Sequence, residues 1–209
     1  MNKKDQIIQY LQEKYDPSTI IAYGSFANGM EDKNSDFDAL LITDCPAVIH
    51  DGTVVDGTEL DVFVYSPEHF DGKYDITEIE QIYDGCILLD KDGLGQKLLQ
   101  AAADYVAAFQ PKTMEEKKME ISWCKKMLQR TRRRDPEGFY RWHWLLLDSL
   151  EIYCDIHDHR YVGPKKILAW LSESDAQGFS LYTLAFESND AQYLQAWIDY
   201  LESCLMKAR

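Results

Sequence analysis

The sequence predicts an α+β chain in two parts: a mixed β-sheet with flanking helices over residues 1–92, then an α-helical bundle over residues 93–209. Three observations predict it. Short apolar, β-branched runs punctuated by Gly and by Asp-Gly pairs fill residues 18–65. From Leu94 onward the apolar spacing is helical almost without break. Pro111, Pro136 and Pro164 stand at the boundaries of that pattern, and proline fits the first turn of a helix but not its interior.

Residues 2–15 read as a helix with Ile7, Ile8 and Leu11 on one face, stopped by Asp16-Pro17. A strand over 18–23 runs into Gly24-Ser25, which leads into a short helix, and a second strand covers 36–43. Asp51-Gly52 and Asp56-Gly57 predict tight hairpins and a small meander, whose longest strand is 58–65. Cys86–Leu89 reads as an edge strand. Helices are expected at about 94–109, 113–133, 137–158, 164–173, 177–187 and 190–207.

Hydrophobic residues make up 45% of the chain and charged ones 28%, as in an ordinary globular protein with a buried core. The net charge of −14 disfavours a broad footprint on nucleic acid, because an acidic surface repels phosphates. The N-terminal helix carries mixed charge, and no 18-residue apolar run occurs, so neither a signal peptide nor a membrane span is expected. Five scattered cysteines without a CxxC fit reduced thiols and a cytoplasmic location.

The chemistry concentrates between residues 24 and 61. A Gly24-Ser25 step after a strand presents free backbone N–H groups suited to phosphate. Ten residues later comes Asp36-Phe37-Asp38 at the start of a strand, and side chains alternate faces, so both carboxylates point the same way, roughly 7 Å apart. The strand continues with apolar residues on both faces, Leu40 and Ile42 on one and Phe37, Ala39 and Leu41 on the other. Carboxylates in line at one end of a buried strand repel unless a cation sits between them, and hard oxygen ligands favour Mg²⁺. Asp61 supplies a third carboxylate deep in an apolar run; Glu59 shares its face and competes for the role. A third carboxylate completes a metal's shell and can accept a proton from an attacking hydroxyl.

Gly24-Ser25, Asp36-Phe37-Asp38 and the separate strand carboxylate Asp61 resemble the pattern of the DNA polymerase β-like nucleotidyltransferase superfamily. The helical second half looks like that of small bacterial enzymes that nucleotidylate antibiotics such as aminoglycosides or lincosamides. The resemblance implies that Asp36 and Asp38 bind two Mg²⁺ ions and that Asp61 binds the one activating the acceptor hydroxyl. Gly24 and Ser25 would then hold the outer phosphates of an NTP, and Lys165 and Lys166 would contact its triphosphate from the helical half. The implied reaction moves an NMP to a hydroxyl of a small-molecule acceptor, ATP being one candidate donor and antibiotic resistance one candidate role.

A cationic polyamine alcohol suits the chain's charge, with the acidic face around Glu151 and Asp155 as its expected seat. The competing reading is an antitoxin-like nucleotidyltransferase that modifies or binds a protein partner. A helical toxin ribonuclease in the same chain is not expected, since Arg141 and His143 stand too close, and Arg134 and His143 too far apart, for that family's pattern. A homodimer is compatible with the sequence. Arg130, Arg132, Arg133 and Arg134 read as a solvated helix end, and Cys154, Asp155, His157 and His159 lack Zn²⁺ spacing. Phe139, Tyr140, Trp142, His143 and Trp144 read as bundle core.

Overall fold

A computed structural model describes residues 2–29, 31–133, 135–188 and 190–207, and Arg134 lies outside them. The chain divides into two compact units after Phe109. The first holds α1 (Lys3–Tyr15), β1 (Thr19–Ala22), α2 (Gly24–Asn28), β2 (Phe37–Ile42), β3 (Ile49–Asp51), β4 (Val54–Val55), β5 (Thr58–Tyr65), β6 (Cys86–Asp90) and α3 (Leu94–Ala107). The second holds α4 (Met114–Thr131), α5 (Pro136–Ile156), α6 (Pro164–Ser174), α7 (Ala176–Ser188) and α8 (Ala191–Lys207). The expected α+β class holds, and no described helix is long and apolar enough to cross a membrane.

The division falls after Phe109 and not near residue 92, because α3 packs on the sheet. Its Leu98 and Ala102 are buried with Ile21, Leu40 and Ile42. An amphipathic helix announces an apolar face but not the surface that face will cover.

α1 starts at a reciprocal cap, in which the Asn2 side chain accepts from the Asp5 N–H and Asp5 accepts from the Asn2 N–H. It ends with Asp16 in the left-handed region at φ 41°, ahead of Pro17. Strand order is β3-β5-β2-β1-β6, with β4 also on β5; β2 and β5 run parallel and the other pairs antiparallel. Both sheet faces are buried, as the strand patterns predict. Phe37, Ala39, Leu41, Leu60 and Val62 pack with Ile7 and Leu11 of α1. Leu40, Ile42 and Tyr65 pack with α3 and with Phe70, Ile79 and Ile82 from 3₁₀ turns.

Only one of the two Asp-Gly pairs turns the chain. Asp56 and Gly57 have φ of 49° and 76°, the two positive values that a two-residue type I′ turn requires, and Val55 pairs with Thr58 across it. The pairing Val54–Glu59 and the pairing Ile49–Val64 belong to one register, so β3 and β4 are one strand interrupted at Gly52. The second hairpin expected at Asp51-Gly52 does not form. Asp51 is instead an anchor, 4% exposed. It accepts hydrogen bonds from the Thr53 N–H at 3.0 Å, Lys14 Nζ at 3.0 Å, Tyr15 Oη at 2.9 Å and Tyr10 Oη at 3.2 Å. Burial alone would push its carboxyl up, but the bonds from Thr53, Lys14 and Tyr15 outweigh it and hold it well below the usual carboxylate range.

A depressed folded-state pKa stabilises above the unfolded value, about 3.9, and the gain is lost as pH falls through the folded value. Asp51→Asn should therefore cost about 1–3 kcal/mol near neutral pH, where it leaves a partly exposed lysine without its partner. Urea melts at pH 7 and at pH 2 check this: the gap between wild type and variant should narrow at the lower pH.

In the second unit the core joins Ile121, Leu128, Leu145, Leu150, Ile167, Leu171, Leu194 and Trp197 from four helices, with Tyr182 and Ala185 of α7. Of the α5 aromatic cluster only Trp142 is buried. Phe139, Tyr140, His143 and Trp144 are exposed, because the run covers more of the helix circumference than the core contacts. Arg130, Arg132 and Arg133 are exposed at the end of α4, as expected, with Arg133 paired to Asp135 and Glu137.

Candidate active site

Asp38 and Asp61 are Cα partners in the parallel β2–β5 pair. Register partners in adjacent strands point to the same face about 4.8 Å apart, so their carboxylates are forced side by side. Asp36 stands one residue ahead of β2 and shares that face by parity. One carboxylate oxygen from each of the three lies within 4.8 Å of the others, with Asp36 exposed and Asp38 and Asp61 half-buried. Glu59, the competing candidate, is exposed, pairs with Val54 and stands outside this group.

Gly24 closes the site from the other side. It adopts φ 65°, and a Cβ built on it would lie 2.1 Å from Asp38 Oδ2, so no other residue fits there without displacing that carboxylate. The Tyr23 N–H donates to the Asp38 carbonyl at 3.1 Å, tying the end of β1 to β2. Half-buried Ser25 follows Gly24 in the first turn of α2. The structure thus brings together five of the sequence-predicted residues: Gly24, Ser25, Asp36, Asp38 and Asp61. Lys165 and Lys166 lie in the second unit, in the first turn of α6, Lys165 exposed and Lys166 half-buried.

Two residues at the site were missed by sequence reasoning. Tyr23 is 7% exposed. Burial pushes its phenol far above the ordinary value, the charges of Asp38 and Asp61 add to this, and a hydrogen bond with Gln81 opposes it. His50 lies on β3 opposite Phe63, and its Nε2 is 2.7 Å from Asp61 Oδ1. The signal for His50 is the type I′ turn: counting outward from Asp56-Gly57 sets His50 opposite Phe63, two residues from Asp61. Taking both Asp-Gly pairs as turns hides that register.

The three carboxylates form an oxygen-only donor set, as Mg²⁺ prefers. Ligands on opposite sides of Mg²⁺ stand about 4.2 Å apart, so a spread of 4.8 Å closes on an ion with sub-ångström adjustment. Carboxylates converging beside a backbone that can face phosphate match the needs of nucleotidyl transfer.

Comparison with protein families agrees in class. Residues 4–130 match the family model of the nucleotidyltransferase domain. Among solved structures, the chain is similar to a nucleotidyltransferase-like protein from Exiguobacterium sibiricum 255-15. That similarity has 13% identity and a TM-score of 0.42, over 98% of this chain and 73% of the other. No curated protein sequence matches. With more than half of its length covered by the family model, this chain belongs to the nucleotidyltransferase domain family.

Proposed function

We propose that the chain transfers a nucleoside monophosphate from an NTP, ATP being the first to test, to a hydroxyl of a small-molecule acceptor, with Mg²⁺ as cofactor. The convergence of Asp36, Asp38 and Asp61 next to Gly24 carries this reading. In the reaction, the acceptor oxygen bonds to the α-phosphorus, the bond from that phosphorus to the β-bridging oxygen breaks, and pyrophosphate leaves. Asp36 and Asp38 would hold the metal, one ion or two, and Asp61 would bind the ion at the acceptor hydroxyl and take that hydroxyl's proton. Bound Mg²⁺ supplies charge stabilisation for the attacking and leaving oxygens. Ser25 and the backbone at Gly24 would bind the outer phosphates, with Lys165 and Lys166 as proposed triphosphate contacts.

For the acceptor, the second unit offers a cavity of about 480 Å³ lined by Trp123, Met119, Glu120, Asp148, Glu151 and Asp155. Lys112 sits at its wall, donating to Asp155 Oδ2 at 2.8 Å and to Glu120. Burial raises the carboxyls of Glu120 and Asp148, against the Lys112 bond at Glu120 and a Trp144 bond at Asp148. Lys112 takes up Glu120 and Asp155, and Asp148 and Glu151 beside Trp123 favour a cationic acceptor, in keeping with the net charge of −14.

The direct test uses NTP labelled at the α- or the γ-phosphate, with a panel of cationic and neutral hydroxylated small molecules, RNA and protein. Label from the α-position should enter a small acceptor and γ-label should leave as pyrophosphate. Transfer of γ-label, or labelling confined to RNA or protein, contradicts the proposal.

Ser25→Ala should raise the Michaelis constant for NTP about tenfold and change kcat little, because outer-phosphate contacts exist before and through the transition state. Steady-state kinetics check it. A fall in kcat at unchanged Michaelis constant would assign Ser25 elsewhere.

A further inference from the structure

A carboxylate that serves a metal must be aimed, and Asp61 is half-exposed on a strand, where nothing in the strand itself fixes rotation about its Cβ–Cγ bond. His50 supplies that constraint. An ionised carboxylate only accepts hydrogen bonds, so His50 Nε2 carries the hydrogen and donates to Asp61 Oδ1 at 2.7 Å.

The imidazole is held in two independent ways. Its ring stacks on Phe63 with centroids 4.7 Å apart and planes at 21°. Its strand is pinned one residue later by Asp51, whose side chain faces α1 and takes hydrogen bonds from Tyr10, Lys14 and Tyr15. Successive side chains of a strand point to opposite faces, so the anchor at Asp51 directs His50 to the face that carries Asp61. His50 is exposed, 55% by side chain, but one ring face lies on Phe63 and its strand is held at Asp51, so its donor has less freedom than that of an unsupported surface side chain.

We infer that His50 is a positioning residue for Asp61, setting the direction of this carboxylate toward Asp36 and Asp38. The inference rests on the reading of those carboxylates as a metal site. Groups that orient metal ligands affect metal affinity or activity by about 10–100-fold when removed.

Three variants of the full-length chain separate the hydrogen bond from the stack. His50→Ala removes both, His50→Phe keeps an aromatic ring on Phe63 without a donor, and His50→Gln restores a donor at similar reach. Calorimetric titration with Mn²⁺ alone should show affinity about 10–100-fold weaker in His50→Ala and His50→Phe, and within about threefold of wild type in His50→Gln. In transfer assays kcat should follow the same order, with the Michaelis constant for NTP little changed. Wild-type Mn²⁺ affinity in His50→Ala or His50→Phe overturns the inference, as does a His50→Gln variant no better than His50→Phe. Should His50→Ala not fold, the Phe and Gln variants decide. Failure of the wild type itself to bind Mn²⁺ is a separate result, which rejects the metal site and not only the role of His50.

Discussion

Asp38→Asn should abolish nucleotidyl transfer, by 10³-fold or more as an order of magnitude, and leave the fold intact. Asp38 is the central member of the group: it is two residues from Asp36 on one side, and faces Asp61 across the β2–β5 register on the other. It also lies against Gly24, where a Cβ would fall 2.1 Å from its Oδ2. Its loss would therefore remove charge from the proposed metal ligands and alter the group next to the backbone proposed to bind phosphate in one step. A thousandfold loss corresponds to about 4 kcal/mol of transition-state stabilisation, within what a metal at a transferring phosphate supplies. In the apo protein the same change relieves repulsion among three carboxylates whose oxygens lie within 4.8 Å of one another. Thermal melting without metal should show no loss of stability. Turnover near wild type, or a collapsed fold, would contradict the assignment.

Asp61→Asn should behave differently. NTP binding should stay within a few-fold of wild type, while kcat falls by about 10²–10⁴-fold, the range for a lost general base. The amide oxygen of Asn still accepts from His50 Nε2, so the hydrogen bond survives and the variant isolates the carboxylate's charge and basicity. Single-turnover kinetics with NTP in excess separate the chemical step from binding. Near-normal turnover would move the proton-accepting role to a carboxylate of the helical unit, Glu151 or Asp148 first.

The carboxylates were legible in the sequence because strand parity is local: Asp36 and Asp38 share a face wherever the strand goes. Their meeting with Asp61 depends on which strand pairs with β2 and in what register, and that is a tertiary choice. The helices of the second unit were legible from proline and from apolar spacing, with ends within a few residues of those observed. α3 was legible as a helix but not as part of the sheet unit, since nothing in an apolar stripe names its partner surface. Asp51-Gly52 has the composition of a turn, yet the buried anchor formed with Lys14, Tyr10 and Tyr15 outweighs that local preference and keeps β3 in the ladder of β5. His50 was hidden for the same reason. The α5 aromatics misled because burial follows the angular position of each side chain around the helix, and only Trp142 among them points inward.

The claim that these three carboxylates make a metal-dependent nucleotide site is tested most directly by calorimetry with a non-hydrolysable NTP, with and without Mg²⁺, on wild type and Asp38→Asn. Binding by the wild type should require Mg²⁺ and be lost in the variant. Equal affinity in the presence of a chelator, or in Asp38→Asn, would contradict it.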